Sequence, residues 1–316
     1  MMPLEPPPIT VAICSNRAGQ LDGLKHVQPF LRCQDQLIIV VDGIDGGAAD
    51  LLGAREWTAQ VDIIRHSTTL GLSACRNEII ARSRMRYLLF LDDDIVLTSK
   101  ALEAIRAELD GSVAALGIRL ERPTWLVQLP WWMTEGQLHY LGVHTGLPPF
   151  SIWGGCMAID VDFARREGLT FRPELGRTGS GLQSGDDSTF VADVSRCGGA
   201  LRFLSEPRVV HNFSVERLRF AYLARRVFWQ GRSEVRRSNV VPGIAKEWRR
   251  YRRNAGDTSV LWGLAVSLLC LGLLVAGVVW EFAASRDNRD RGPKDSSVGE
   301  SNETIDTCHR RRSAAR

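Results

Sequence analysis

Three consecutive aspartates, Asp92, Asp93 and Asp94, end an apolar run in the segment YLLFLDDDIVLTS (residues 87–99), and a second acidic pair, Asp186 and Asp187, follows a glycine in SGDDSTF. Packed like charges repel, and a carboxylate removed from water without a partner costs several kcal/mol or shifts its pKa until it is neutral. A hard divalent cation such as Mg²⁺ or Mn²⁺ resolves the first cluster, because it takes oxygen ligands and bridges protein carboxylates to a substrate's phosphates. The plain alternative is a solvated turn in which Asp92 or Asp94 caps the next helix. In the second cluster, a carboxylate at a helix start can accept a proton from a hydroxyl within hydrogen-bond reach, and plain helix capping is again the alternative. His211 ends the last apolar run, as a candidate metal ligand or an ordinary strand-end histidine. Asp42, followed by Gly43, is a candidate binding residue or simply part of a turn.

The elements that must position these residues alternate in type. ITVAIC (9–14) is a short apolar run, QLIIVVDG (36–43) reads as a buried strand and VDIIRH (61–66) as a third strand, and QLDGLKHVQPFL and GLSACRNEIIARS (71–83) have helical spacing. Strands alternating with such helices point to an α/β fold with a mainly parallel sheet, whose ligands bind beyond the carboxyl ends of the strands. Ser15, Asp42 and Asp92 to Asp94 all fall at those ends and are expected to share one crevice. Residues 122–150, rich in aromatics, Pro and Gly, are expected to line a pocket irregularly. SIWGGCMAID (151–160) predicts a strand entered through a glycine pair, residues 188–197 a helix, and residues 201–210 a final strand.

A chain of 316 residues, 44% hydrophobic and 24% charged, is globular in composition. Its seven cysteines are scattered with no C-x-x-C pair, so neither a disulfide framework nor a zinc knuckle is indicated, which fits a reducing compartment. No secretory signal is read at the N-terminus. Residues 259–280 carry no charge and are long enough to cross a bilayer, so a transmembrane helix is expected there. The arginines before it, from Arg217 to Arg253, predict a basic collar facing anionic lipid and a cytoplasmic catalytic domain. The expected division is a catalytic domain over residues 1–237, a basic juxtamembrane segment over 238–258, the helix over 259–280, and a disordered tail over 281–316. No zinc-finger spacing, RNP aromatics or helix-turn-helix pattern indicates nucleic acid as a partner.

In order and spacing, VAICSNR, LIIVVDG, GLSACRN, LLFLDDD, WGGCMAID, SGDDSTF and RVVHNFS resemble the family 2 glycosyltransferases of the GT-A fold, over residues 9–237. The resemblance implies a Rossmann-like mixed sheet flanked by helices, a nucleotide-diphosphate sugar as donor, and a divalent metal, Mn or Mg. It implies that Asp42 reads the nucleobase and that Ser15, Arg17, Arg76 and Asn77 lie near the nucleotide. Asp92, Asp93 and Asp94 match the D-x-D motif that meets ribose, diphosphate and metal, with Asp92, Asp94 and His211 as metal ligands. Gly185-Asp186-Asp187 resembles the family's G-E-D, whose Asp is the catalytic base. Asp186 replaces the glutamate, which leaves the base open between Asp186 and Asp187. The expected reaction is inverting transfer to a hydroxyl on a lipid-linked acceptor or a growing glycan.

Two alternatives come from other classes. FLDDDIV also fits the D-x-D-x-[TV] pattern of haloacid-dehalogenase phosphatases, with Asp92 as nucleophile and Asp94 as acid. That chemistry begins on the first strand, whereas two or three strand–helix units precede it here. The other alternative is a non-catalytic relative that binds glycan or nucleotide, against which the intact acids of both clusters argue.

Overall fold

The computed structural model describes residues 6–16, 22–43, 57–146, 151–237, 245 and 261–290. Its sheet has eight strands in the order β3-β2-β1-β4-β7-β6-β8-β5. The strands are β1 (Ile9–Ser15), β2 (Gln36–Asp42), β3 (Gln60–His66), β4 (Tyr87–Asp92), β5 (Ile95–Val96), β6 (Val113–Glu121), β7 (Cys156–Asp160) and β8 (Ala200–His211). The first four run parallel, and β7 then pairs antiparallel with both β4 and β6. β6 and β8 are again parallel, and β5 closes the edge antiparallel to β8.

The near-continuous apolar runs of β1, β2 and β4 follow from burial on both faces. Val11, Ile13, Ile39 and Leu89 pack with Leu102 and Ile105 of α3 (Ser99–Glu108) in one layer. Ala12, Ile38, Val40 and Phe90 meet Ile79 and Ile80 of α2 (Leu72–Arg82), and Phe190 of α5 (Asp186–Arg196), in the other. The remaining early helices, α1 (Asp22–Val27) and α4 (Val161–Arg166), are one to two turns long. Register fixes what the strand ends bring together: Cys14 pairs with Asp92, and Asp42 with His66. The carboxyl ends of four strands therefore open on one side of the sheet.

A third cluster lies outside the sheet. Tyr140, Leu141, Phe213, Leu223 and Val227 pack with Cys270, Leu274 and Val278. Leu223 and Val227 belong to α6 (Phe220–Arg236), and the last three to α7 (Leu261–Asp290), the helix expected as a span. The expected span begins in residues outside the description, and α7 runs ten residues past its expected end.

Cys270, Leu274, Gly277, Val278 and Glu281 form a single buried stripe at helical spacing, and it lies on α6. A Cβ at Gly277 would come 2.0 Å from Phe228 O, and one at Gly231 2.0 Å from Leu274 O, so the two backbones touch where only glycine fits. Glu281 binds Nε of both Arg232 and Arg236 at 2.7 Å. The opposite face leaves Leu268, Leu269, Val275, Val279, Trp280 and Phe282 exposed.

Candidate active site

Two adjoining pockets open at the strand ends and share Leu72, Asp92, Arg177 and Arg217. The smaller is lined by Cys14, Ser15, Asn16, Asp42, Thr69, Cys75, Asp93 and Asp94. There Asp42 accepts hydrogen bonds from the backbone N–H groups of Leu70 at 2.8 Å and Gly71 at 2.9 Å, and from His66 Nδ1 at 3.1 Å. A carboxylate offers about four acceptor positions, so one stays open on Oδ2, enough to receive an N–H of a base.

His66, which the sequence reading passed over, touches Asp42 through one ring nitrogen and Glu78 through the other at 2.8 Å. Both carboxylates only accept, so both ring nitrogens donate. Burial would lower the pKa of His66, but the bonds to Asp42 and Glu78 outweigh it and the pKa is raised. Asp42, His66 and Cys75 bring their ligand atoms within 4.8 Å of one another. A histidine that donates from both nitrogens has no lone pair for a metal, and the trio reads as a hydrogen-bond network instead.

Ser15 Oγ donates to Asp93 Oδ2 at 2.6 Å and thereby orients the middle aspartate. Asp94 receives Arg217 Nη2 at 2.8 Å, and its other oxygen lies 3.1 Å from His211 Nε2. His211 Nδ1 faces the carbonyl oxygen of Gly142 at 3.2 Å, so Nδ1 carries the hydrogen and the Nε2 lone pair points at a carboxylate. Arg217 Nη1 also lies 3.4 Å from His211 Nε2, so the Asp94–His211 pair is bridged here by the guanidinium or by a proton, as at His66, and a metal cation is the third way to bridge it. A ring held by a backbone carbonyl through its other nitrogen is also the usual support of a metal-binding histidine. Asp94 and His211 therefore fit a divalent cation. Asp92, more than a third exposed, does not close a three-residue cage with them among the described residues. That suits a cation completed by substrate phosphates and water.

The larger pocket holds the second acidic pair, whose members have opposite surroundings. Asp186 is buried against Arg76 Nη1 at 2.8 Å and Ser73 Oγ at 3.3 Å. Burial pushes its pKa up while Arg76 pulls it back. Asp187 faces the cavity: Oδ2 accepts Gly154 N–H at 2.8 Å, and Oδ1 accepts Ser188 N–H at 2.6 Å and its hydroxyl at 3.1 Å. One position on Oδ2 remains for a substrate hydroxyl. Gly154 makes this approach possible, because a Cβ there would lie 2.4 Å from Arg76 Nη2. Trp153 walls the pocket, stacked on a buried His144 whose pKa burial lowers to about 4. His139, Tyr140, Leu141 and Gly142 complete it, so the aromatic segment 122–150 does line a pocket.

Several expected site residues sit elsewhere. Arg76 lies in the larger pocket, where it links Asp186 to Asp92, 3.4 Å from the latter, and packs over Phe90 and Phe171. Asn77 lines neither pocket; its amide exchanges two hydrogen bonds with the backbone of Phe171, a structural tie. Arg17 lies outside the described residues. Arg217 and Arg226, assigned to the lipid-facing collar, are buried and point into the site.

The family model described as Glycosyl transferase family 2 matches residues 23–150, the stretch holding Asp42, Arg76 and the three aspartates. The stretch 23–150 is thus similar to a family 2 glycosyltransferase domain. Succinoglycan biosynthesis protein ExoM of Rhizobium meliloti (strain 1021) is 26% identical over 264 residues, covering 78% of this glycosyltransferase and 81% of ExoM. Among solved structures, the mannosyltransferase PcManGT from Pyrobaculum calidifontis, in complex with GDP-Man and Mn²⁺, superposes with a TM-score of 0.58 at 14% identity over 88% of each chain. S. aureus TarS 1-349 in complex with UDP gives a TM-score of 0.50 at 12% identity, over 93% of this chain and 94% of that one. The fold is of the GT-A type, and the glycosyltransferase's Asp92 sits on the fourth strand. The haloacid-dehalogenase alternative, whose chemistry starts on the first strand, is thereby set aside.

Proposed function

We propose that this glycosyltransferase moves a sugar from a nucleotide-diphosphate donor to an acceptor hydroxyl with inversion, in a metal-dependent reaction. The observation that carries the reading is the pair of pockets meeting at Asp92, with Asp42, Asp93 and Asp94 in one and the open carboxylate of Asp187 in the other. A nucleotide in the smaller pocket would offer a base to Asp42 and its diphosphate to Arg217 and the Asp94–His211 pair. A divalent cation held by Asp94 and His211, with Asp92 across the crevice, supplies Lewis-acid stabilisation of the leaving phosphate. The GDP-Man and Mn²⁺ bound by PcManGT and the UDP bound by TarS support a donor and metal of this class.

Asp187 then takes the proton of the acceptor hydroxyl from the opposite side, so displacement is direct and the anomeric configuration inverts. Asp186, tied to Arg76, holds the neighbouring guanidinium in place. EDTA is expected to abolish transfer and Mn²⁺ or Mg²⁺ to restore it. Asp94→Asn should weaken metal-dependent binding of UDP or GDP in calorimetry at least tenfold, and unchanged binding contradicts the metal assignment.

We infer a membrane location on the cytoplasmic side, a reading supported by the apolar length of α7 and by the arginines of residues 249–253. Residues 268–285 have a mean hydropathy of 2.0. Upright across a bilayer, α7 would bring the packed α6, with Arg232 and Arg236 paired to Glu281, to the membrane boundary, where ionisable residues are unfavourable in hydrocarbon. Lying along the surface, its exposed apolar face meets lipid while α6 stays in water. We propose the interfacial placement over the single-pass one, a choice that the length and composition of α7 leave open.

A further inference from the structure

The larger pocket holds more positive charge than its own carboxylates use. Arg177, Arg226 and Arg237 all line it. Arg226, only 8% exposed, has neutral partners for Nη1, Ser184 Oγ at 3.4 Å and Gln230 Oε1 at 3.2 Å, and its Nε has none. Among the described residues, no carboxylate lies within 4.0 Å of the guanidinium of Arg177 or of Arg226. Burial first, and the charge of Arg177 second, depress the pKa of Arg226 to about 10. Arg237 Nε is likewise buried without a hydrogen bond, although its Nη1 is 3.6 Å from Glu234. A buried guanidinium that faces a second one and is answered only by neutral groups is costly until an anion arrives. Gln183 Oε1, in the same pocket, is a buried acceptor without a donor.

Leu274 of α7 lines this pocket too, so its wall is continuous with the helix whose far side exposes Leu268, Val275 and Val279. A ligand that satisfies both features is an amphiphile with an anionic head. We infer that the acceptor carries a phosphate or diphosphate ester that seats on Arg226 and Arg177, with an apolar chain running past Leu274 toward the lipid. This rests on the proposed reading that the smaller pocket takes the donor, and it specifies the acceptor class. Guanidinium groups suit such a head because they bind phosphate oxygens in pairs.

The test uses full-length protein in phosphatidylcholine nanodiscs, saturated with Mn²⁺ and with UDP or GDP, whichever binds more tightly. Farnesyl phosphate, farnesol and inorganic pyrophosphate are titrated against it by calorimetry, with empty nanodiscs as the blank. Farnesyl phosphate is expected to bind with the nucleotide in place, and farnesol is expected not to bind. Arg226→Gln should weaken farnesyl phosphate at least tenfold with nucleotide affinity within threefold of wild type, and Arg177→Gln, at the seam of the two pockets, should weaken farnesyl phosphate by at least as much. Arg177 is half-buried, so its variant keeps the test usable if Arg226→Gln melts early.

Displacement of farnesyl phosphate by the nucleotide would assign the arginines to the donor's diphosphate and overturn the inference. Pyrophosphate binding as tightly as farnesyl phosphate would make the site one for a free anion and overturn it as well. Nucleotide binding without farnesyl phosphate binding defeats this inference and leaves the donor reading standing. Loss of nucleotide binding alone defeats the donor reading instead.

Discussion

Asp186 and Asp187 are chain neighbours, yet one is locked against Arg76 and the other opens on a cavity. Removing one partner of a buried ion pair typically costs about 3–5 kcal/mol, because the remaining charge stays buried and unpaired. Asp186→Asn is therefore expected to lower the melting temperature strongly, read by circular dichroism, and a melt within a degree of wild type contradicts the locked pair. His66 gives a pH signature. Its pKa is raised in the fold, so the stability it lends is fully present below its ordinary value of 6.5 and is lost as pH rises through the raised one. Melting temperature should fall over that window, and His66→Gln should flatten the fall. A decline of equal slope in the variant assigns it to another group. The acidic members of the site were legible because a carboxylate ending an apolar run is conspicuous. His66, Arg177 and Arg226 were not, since their partners come from β2, α2 and α6 and are known only once the sheet register and helix docking are known.

At the scale of elements, the sequence located β1, β2, β4 and α2 closely, because long apolar runs buried on both faces leave little choice of register, and β3, a partly exposed edge strand, was found from its short Val-Ile-Ile pattern. The helix expected from 188 starts two residues earlier, at the acids themselves. Less legible was where α7 goes. A charge-free run of 22 residues reads as a span by length, but its seat depends on Gly231 and Gly277 admitting close backbone contact and on Glu281 reaching two arginines. The same contacts hid the fate of Arg232 and Arg236, which read from sequence as part of a lipid-facing collar. Ending the chain after Gly256 removes α7, uncovers Leu223 and Val227, and unpairs both arginines. The truncated protein is expected to melt well below the full chain in differential scanning fluorimetry. An unchanged melt would make the packing of α7 on α6 incidental.

For the whole molecule, the sheet collects two adjoining pockets at the ends of the same strands, and α7 walls the larger; in the proposed reading the smaller takes the donor and the larger the acceptor. The proposed division of labour gives the chemistry to Asp187 and the binding to residues across the crevice. Loss of a general base typically costs about 10²- to 10⁴-fold in rate while ground-state binding survives. The most direct test is single-turnover sugar transfer by Asp187→Asn against wild type, at a donor concentration that saturates both. We expect the variant to lose transfer by roughly that factor, with the donor still bound. Transfer by Asp187→Asn within a few-fold of wild type would contradict the account.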